Sequence, residues 1–402
     1  MWINHPRAAF VVRCATNCRA GELRDVTIDR IDAWLAAERP ATPCVVVDLD
    51  HVRAQYHRLH ALFPAAEIFY AVKANPAPEI IATLAALGAA FDLASRGEID
   101  RCRTLGVPPA RLSFGNTIKR ERDIADAHAA GISLYAFDTE SELRKLARAA
   151  PGARVVCRLA AHNAGADWPL SRKFGCDHRT ATKLLLQARA LGLTPAGVSF
   201  HVGSQQTDPA QWSVPIAHAA DIFRACARHG VALDLLNLGG GLPAQYRDPV
   251  PDLAAYADAI ETALTNAFGT ARPRLLIEPG RYMVADAGLL RAEVLLAAER
   301  PHRGGPRWVY LDAGRYNGLA ETQDERIRYR LRTSRDGAPS GPVILAGPTC
   351  DSTDIIYQRT HYHLPLALAA GEHVDFLSAG AYTGSYASVE FNGFPPLRTH
   401  CI

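Results

Sequence analysis

Eight short apolar runs alternate with helix-like segments between about residues 68 and 277, and this alternation constrains the fold more than any other feature of the chain. Runs of this kind are typical of buried parallel strands, and the Ala- and Leu-rich segments between them have helical spacing. The runs are Ile68–Ala74, Ala90–Ala94, Leu112–Gly115, Leu134–Phe137, Arg154–Leu159, Gly197–Val202, Leu235–Leu238 and Arg274–Ile277. Strand–helix alternation on this scale predicts an α/β fold, a closed eight-stranded parallel (TIM-like) β/α barrel, with an open doubly wound sheet as the alternative.

The sequence changes character after about residue 286. Runs such as Arg307–Leu311 and His373–Leu377 alternate with turn-rich connections and almost no long helical pattern, which predicts a second, β-rich domain with a sandwich or barrel-like form. We therefore expect an N-terminal extension with a lead-in helix in residues 1–40, the barrel in residues 41–285, and the β-rich domain in residues 286–402.

Composition and charge exclude several kinds of partner. The net charge is +3 and no basic run or stripe stands out, so neither a nucleic acid nor an anionic membrane surface is expected to bind. The nine cysteines form no CxxC pair, which argues against a disulfide framework and a metal site and favours a reducing cytoplasm. No stretch approaches the roughly 18 apolar residues that a membrane span requires. A small-molecule substrate is the expectation that remains.

Polar residues or glycines lie at the end of nearly every predicted barrel strand, where the active sites of such barrels collect. They are Lys73, Asp92 and Ser95, Asn116, Asp138, Arg158, His201 and Ser204, Gly239–Gly241, and Glu278 with Arg281. Lys73 ends the first run just before Pro76. Desolvation at the end of a buried strand would lower its pKa and make it an amine nucleophile or a Schiff-base former. The alternative is a lysine that reaches from a strand end into solvent.

Three of these strand ends together describe a site for pyridoxal 5'-phosphate. The Gly239–Gly241 triplet exposes backbone N–H groups that can bind a phosphate. Glu278 can hold a proton on a heteroaromatic nitrogen, and Arg281 can bind a phosphate dianion. With Lys73 available for an aldehyde, the set predicts this cofactor. His201 would then stack on the cofactor ring, although a lone strand histidine is more often a satisfied core residue.

Longer segments carry a family resemblance. They are Tyr70–Asn75, Phe91–Ser95, Ser171–Gly175, Ser199–Ser204, Asn237–Gly241, Glu278–Arg281, Gly347–Ser352, Gly380–Thr383 and Phe391–Phe394. Through them the chain resembles the barrel-fold pyridoxal phosphate-dependent basic amino acid decarboxylases (alanine racemase-like, fold type III), and most of all the bacterial ornithine decarboxylases. The match spans about residues 40–402 in the same order.

The resemblance implies a role for each matching residue. Lys73 would form the Schiff base with the cofactor, Glu278 would pair with its pyridine nitrogen, and His201 would stack on its ring. Asp92 and Arg158 would lie near the Schiff-base end. The residues implied for the phosphate are Ser204, Gly240, Gly241, Arg281 and Tyr382.

The resemblance also implies a homodimer whose active sites are shared between subunits. Cys350 and Asp351 would reach the site from the partner subunit, with Tyr316 and Phe391 near the distal end of the substrate. Cys350 would return a proton to Cα after carbon dioxide leaves, and Asp351 would accept the distal ammonium of a diamino acid. An inert buried thiol is the alternative for Cys350.

The expected reaction is decarboxylation of L-ornithine to putrescine in polyamine biosynthesis. Lysine, arginine, citrulline, a D-amino acid and diaminopimelate are the alternative substrates, and the aspartate after Cys350 favours a terminal ammonium over the second chiral centre of diaminopimelate. An amino acid racemase would need an opposing tyrosine in place of the Cys350–Asp351 pair. A non-catalytic binding protein of this family would be expected to have lost Lys73 or Cys350, and both are present.

Overall fold

The computed structural model describes residues 20–161, 163–168, 173–299 and 305–402. Contacts divide the chain into two units. The barrel unit comprises Tyr56–Pro243 and Val250–Gly280, and the β-rich unit comprises residues up to Gln55, Ala244–Pro249 and Arg281–Ile402. The predicted extension lies outside the described residues as far as residue 19.

The strands and helices follow one another in the predicted alternation. The strands are β1 (Cys44–Val47), β2 (Ala66–Ala71), β3 (Ala90–Leu93), β4 (Leu112–Phe114), β5 (Leu134–Phe137), β6 (Arg154–Leu159), β7 (Ala166–Trp168), β8 (Thr194–Phe200), β9 (Ser204–Gln206), β10 (Leu235–Asn237), β11 (Arg274–Ile277), β12 (Gly288–Ala298), β13 (Arg307–Leu311), β14 (Arg330–Thr333), β15 (Ser340–Ala346), β16 (Ile355–Pro365), β17 (His373–Leu377) and β18 (Arg398–Cys401). The helices are α1 (Ala20–Glu38), α2 (Leu49–Leu62), α3 (Pro78–Ala86), α4 (Arg96–Thr104), α5 (Glu121–Ala129), α6 (Glu140–Ala149), α7 (His178–Ala190), α8 (Ser213–Arg228), α9 (Leu253–Phe268) and α10 (Arg281–Val284).

The barrel unit confirms the predicted closed parallel barrel. Its strand order is β10-β11-β2-β3-β4-β5-β6-β8, and the barrel closes where β11 pairs with β2, with Ile277 opposite Ile68. Apolar side chains from seven of the eight barrel strands form one buried cluster, as expected for a barrel of this size, whose interior is filled by side chains. The cluster contains Phe69, Ala90, Ala136, Val156, Ala196, Leu235 and Leu276.

A buried lysine fixes the loop that follows β4. The Lys119 ammonium donates to the Asn116 carbonyl at 2.7 Å and to the Ala136 carbonyl at 2.6 Å, and it lies 3.1 Å from a Glu142 carboxylate oxygen. The Lys119 side chain has no exposed surface. A charge in this position is stable only because all of its donors have partners. The loop carrying Asn116 is thereby tied to the end of β5.

The β-rich unit is built on an eight-stranded sheet with the path β14-β17-β12-β13-β15-β16. β1 pairs with β12 and β18, so Cys44–Val47 belongs to this sheet, although the sequence predicted that residues from 41 onward belong to the barrel domain. The apolar sequence of β1 predicts a buried strand, but it does not identify β12 and β18 as the strands that pair with it. Ile31 and Leu35 of α1 pack with Val46 and Leu289 in its core.

One buried carboxylate connects strands of this sheet. Asp375 accepts two hydrogen bonds from Arg291, at 2.7 and 2.8 Å, and a third from Arg332 at 2.8 Å. Arg332 also binds Asp32 of α1 through two bonds of 2.6 and 2.7 Å. Bidentate arginine–carboxylate pairs fix both side chains, so this network sets the register of α1 against the sheet.

No helix among the described residues is both long enough and apolar enough to cross a membrane.

Candidate active site

The polar residues at the strand ends of the barrel unit meet in one cavity of about 420 Å³. The strands are parallel, so their carboxyl ends lie at the same mouth of the barrel and their following residues converge. The lining residues are Lys73, Asp92, Ala94, Gly115, Asn116, Arg158, Lys173, Phe174, His201 and Glu278. The cavity therefore contains five of the residues predicted for the site, Lys73, Asp92, Arg158, His201 and Glu278.

Lys73 follows the first barrel strand instead of ending it. β2 stops at Ala71, and Lys73 lies in a single 3-10 turn, Val72–Ala74. Its side chain is 47% exposed, so the expected desolvation of this lysine is wrong: the turn places the ammonium in the open mouth of the barrel. Its Nζ lies 4.0 Å from Asp92 Oδ2.

Asp92 is a buried carboxylate beside this lysine. Its side chain accepts a hydrogen bond of 3.3 Å from the Ser113 hydroxyl, and the residue is 5% exposed. Burial raises the pKa of Asp92, while the nearby charge of Lys73, the Ser113 bond and the charge of Arg158 oppose the increase. The Asp92 carboxyl group thus faces the amine at the mouth of the cavity.

Glu278 is held ready to carry a proton. It lies just after β11, and Asn237, the last residue of β10, donates a short side-chain hydrogen bond to its Oε1. Burial raises the pKa of Glu278 to about 7, with repulsion from Asp92 adding to the effect and the Asn237 bond opposing it. A carboxyl group with such a pKa can share a proton with a ring nitrogen near neutral pH.

His201 is kept as a neutral imidazole. Its Nδ1 accepts a hydrogen bond of 3.0 Å from the Gly203 N–H, and burial lowers its pKa well below the usual range, helped by the positive charges of Arg158 and Lys73. Arg158 itself lies with its guanidinium 5.3 Å from the centre of the Phe174 ring. An uncharged imidazole offers a flat, weakly polar face that suits an aromatic ring.

The glycine triplet leaves space beside His201 and Glu278 that a side chain would fill. A Cβ on Gly240 would lie 2.6 Å from the Glu278 carbonyl oxygen and 3.3 Å from His201 Nε2. Gly241 has a φ of +116°, and a Cβ there would lie 2.7 Å from the Gly203 carbonyl oxygen. The adjacent strand β9 begins at Ser204, and the Gln206 N–H donates to the Gly241 carbonyl at 2.9 Å. This open backbone is suited to a phosphate group.

An amine, a carboxyl group with a raised pKa, a neutral imidazole and a glycine cradle therefore fit pyridoxal 5'-phosphate. The amine matches the aldehyde, the carboxyl group matches the pyridine nitrogen, and the glycines match the phosphate.

Arg281 and Tyr382 belong to the β-rich unit, where they contact each other. The Arg281 guanidinium lies 4.8 Å from the centre of the Tyr382 ring. It donates two bonds of 2.7 Å to the Glu321 carboxylate and one of 2.7 Å to the Tyr246 hydroxyl. The sequence did not predict this buried ion pair, whose partners are 40 residues apart. The phosphate role of Arg281 and Tyr382 stays a prediction.

The residues predicted for the substrate also form a group within the β-rich unit. The Tyr316 hydroxyl donates to Asp351 Oδ2 at 3.0 Å, and its ring lies 4.8 Å from that of Phe391. The Cys350 N–H donates to Asn392 Oδ1 at 3.1 Å, and Cys350 is exposed. Hydrogen bonds from Thr353 and Tyr316 lower the pKa of Asp351. This group presents a thiol, a carboxylate and two aromatic rings at the surface of its unit.

Sequence reasoning assigned no role to three contributors to the barrel site. Asn237 orients Glu278, while Lys173 and Phe174 line the cavity. A signal existed for each, because Asn237 precedes the glycine triplet and the other two lie in the segment 171–175 that carries part of the resemblance. Ser171 and Arg172 of that segment lie outside the described residues.

Comparisons with known proteins agree with this chemistry. Residues 49–285 match the family described as "Pyridoxal-dependent decarboxylase, pyridoxal binding domain". The chain is 35% identical to the lysine/ornithine decarboxylase of Selenomonas ruminantium over 89% of each protein. A structure of lysine/ornithine decarboxylase from Vibrio vulnificus complexed with cadaverine superposes with a TM-score of 0.83 at 33% identity, covering 93% of this chain and 98% of that one. The arginine decarboxylase of Paramecium bursaria Chlorella virus superposes with a TM-score of 0.85 at 27% identity, covering 93% of this chain and all of that one.

Proposed function

The chain belongs to the pyridoxal-dependent decarboxylases that act on basic amino acids with pyridoxal phosphate as cofactor, and we propose that its substrate is L-ornithine. The products are then putrescine and carbon dioxide, as in polyamine biosynthesis. The convergence of Lys73, Glu278 and His201 on one cavity of the barrel carries the pyridoxal phosphate chemistry, and the choice of a diamino acid rests on Asp351 beside Tyr316.

Each barrel residue has a defined task in this reaction. Pyridoxal phosphate in this cavity would supply an electron sink for the electrons left on Cα when the carboxylate leaves as carbon dioxide. Lys73 would supply the amine that holds the cofactor aldehyde. Glu278, oriented by Asn237, keeps a proton on the pyridine nitrogen, and His201 covers the ring face.

The remaining residues of the cavity set charge and position. Asp92 and Arg158 lie near the Lys73 end, where a carboxylate 4.0 Å from the ammonium and a guanidinium can orient the reacting amine. In the barrel unit, Ser204, Gly240 and Gly241 bind the phosphate through a hydroxyl and backbone N–H groups.

We assign the distal end of the substrate to the partner subunit of a homodimer. Asp351 accepts the terminal ammonium, and Cys350 donates the proton that replaces the carboxylate on Cα. Tyr316 and Phe391 border that end. The exposure of Cys350 and the existing Tyr316–Asp351 hydrogen bond support this assignment, since both groups are presented outward. Unbridged cysteines in the described part of the chain are consistent with a cytoplasmic enzyme.

Lysine is the second candidate substrate, because the names of two similar proteins pair lysine with ornithine. Arginine follows from the similar viral enzyme. A carbon dioxide release assay on L- and D-ornithine, lysine, arginine, citrulline and diaminopimelate ranks them. The highest kcat/KM is expected for L-ornithine, and a higher value for any other compound would overturn the substrate assignment.

The cofactor role of Lys73 is tested by absorption spectroscopy. The wild-type protein is expected to be yellow after incubation with pyridoxal phosphate, and Lys73→Ala is expected to lose both this band and carbon dioxide release. Lys183→Ala, which removes an exposed lysine of α7 in the same unit, is the matched control and is expected to keep both. A colourless wild-type protein, or a Lys73→Ala variant with normal turnover, would contradict the proposal.

A further inference from the structure

Two cysteine thiols face each other beside β6, on the opposite face of the strand from the cavity-lining Arg158. Cys157 lies on β6 and is buried, and Cys176 follows the cavity-lining segment and is partly exposed. Their sulfur atoms are 3.6 Å apart. The catalytic roles proposed above do not use either thiol.

The main chain places Cys176 beside β6, diagonally across from Cys157. The Cys176 N–H donates to the Arg158 carbonyl at 3.1 Å, and the Ala160 N–H donates to the Cys176 carbonyl at 2.9 Å. Cys176 therefore extends the edge of β6 as a parallel bridge to Leu159. A disulfide has an S–S distance of about 2.0 Å, so the sulfurs must approach by roughly 1.6 Å. Diagonal neighbours on paired strands have Cα atoms about 7–8 Å apart, so closure requires the Cys176 backbone to move toward Cys157 as well as side-chain rotation.

Both cysteines are next to residues that line the cavity. Arg158 directly follows Cys157, and Phe174 precedes Cys176 by two residues; the Arg158 guanidinium lies 5.3 Å from the Phe174 ring centre. Gly175, between Phe174 and Cys176, has a φ of +96°, and a Cβ there would lie 2.6 Å from the Ala160 nitrogen. This tight packing leaves little slack, so a shift of Cys176 is transmitted to Phe174.

We propose that Cys157 and Cys176 form a reversible disulfide, a redox modification site whose oxidant is hydrogen peroxide. The Cys176 thiolate attacks one peroxide oxygen, the O–O bond breaks, and the sulfenic acid forms while the second oxygen leaves as water after taking a proton. The Cys157 sulfur then attacks the Cys176 sulfur, and the S–O bond breaks with loss of a second water that carries the Cys157 proton. Two thiols and one peroxide thus give one disulfide and two waters.

The order of these steps follows from exposure. Cys176 is the thiol that peroxide reaches, whereas burial raises the pKa of Cys157 and leaves it as the resolving partner. The disulfide ties the Phe174 side of the cavity to β6 and changes the Arg158–Phe174 contact. This consequence for catalysis rests on the proposed function, whereas the disulfide itself does not.

Mass spectrometry of the full-length protein loaded with pyridoxal phosphate tests the site. A Cys350→Ser background removes the thiol that is exposed among the described cysteines and would otherwise consume peroxide. After stoichiometric peroxide, denaturation, alkylation and digestion, we expect a Cys157–Cys176 linked peptide and the loss of two alkylatable thiols, both restored by dithiothreitol. Cys176→Ser in the same background is expected to abolish the linked peptide, and Cys401→Ser, which removes another partly exposed cysteine, is expected to leave it.

Three results would overturn the site: both thiols remain alkylatable, Cys157 links to a different cysteine, or Cys176 passes to the sulfinate while Cys157 stays free.

The consequence for catalysis is measured separately with Cys350 intact. Wild type is expected to lose more activity to peroxide, reversibly with dithiothreitol, than Cys176→Ser does. Equal losses refute the link to the cavity and leave the mapped disulfide standing, whereas a reduced wild type that releases no carbon dioxide refutes the proposed function alone.

Discussion

Replacing Gly240 by alanine tests whether the glycine triplet is a phosphate cradle. The added Cβ would lie 2.6 Å from the Glu278 carbonyl oxygen and 3.3 Å from His201 Nε2. Gly240 does not have a positive φ, so alanine is compatible with its backbone and the cost comes from the contact alone. A backbone oxygen cannot rotate away, so the main chain of one strand end must move by several tenths of an ångström. Overpacking of this kind costs about 1–3 kcal/mol.

The apoprotein can relieve the contact by moving Glu278 or His201, whereas cofactor binding needs both residues in place. The free energy of overpacking is therefore expected to weaken cofactor binding. A cost of about 1–3 kcal/mol weakens binding by roughly 5- to 150-fold. Titration of the apoprotein with pyridoxal phosphate, followed by absorbance, gives Kd, and thermal unfolding of the apoprotein gives the effect on folding.

The matched control is Gly97→Ala on α4, where the nearest atom to the added Cβ is Ser95 Oγ at 3.8 Å and Kd is expected to be unchanged. A Gly240→Ala variant with the wild-type Kd would refute the cradle. A lower unfolding temperature with an unchanged Kd would show that the glycine serves packing only.

Three further substitutions test the electrostatics of the described structure. Since the pKa of Glu278 is raised to about 7, the folded apoprotein binds this proton more tightly than the unfolded chain does. The free energy of unfolding of the apoprotein should therefore fall by about 1–3 kcal/mol as pH rises from about 4.5 to 7. Glu278→Gln should remove this part of the pH dependence in denaturant titrations. Lys119→Met should cost about 3–5 kcal/mol in the same titrations, because it removes the buried donor of two carbonyls and one of the two lysines that pair with the buried Glu142 carboxylate. Lys145→Met removes only the partly exposed partner of Glu142 and should cost less, and equal costs would contradict the reasoning. Asp375→Asn should cost about 1.5–3 kcal/mol because it weakens charged hydrogen bonds to two arginines, and an unchanged denaturation midpoint would argue against the network.

The barrel could be predicted because its signal is local. Each strand is a short buried run followed by a helical pattern, and parallel strands direct the residues after them to one mouth, so the meeting of Lys73, His201 and Glu278 followed from the order of elements alone. The sequence did not predict the 3-10 turn that carries Lys73. The residues of that turn, Val72–Ala74, are as compatible with the end of a strand as with a single turn before Pro76.

What the sequence left open depends on pairing between distant segments. Cys44–Val47 has the same apolar character as a barrel strand, and only its hydrogen bonds to β12 and β18 place it in the other sheet. The Arg281–Glu321 ion pair is similar, because nothing near either residue in the sequence identifies the other. Long-range polar partners of this kind require the coordinates.

Closure of the barrel through β11 and β2 has a consequence for how the enzyme is made. Lys73 and Glu278 flank the first and last strands of the barrel, about 200 residues apart in sequence, so they share a cavity only after nearly the whole barrel has been synthesised and the non-local β2–β11 pairing has formed. Cofactor binding therefore reports on the completion of folding as well as on the chemistry of the pocket. A nascent or truncated chain that ends before Arg274 is expected to stay cofactor-free. The time at which the yellow absorption band appears should therefore measure when the barrel closes.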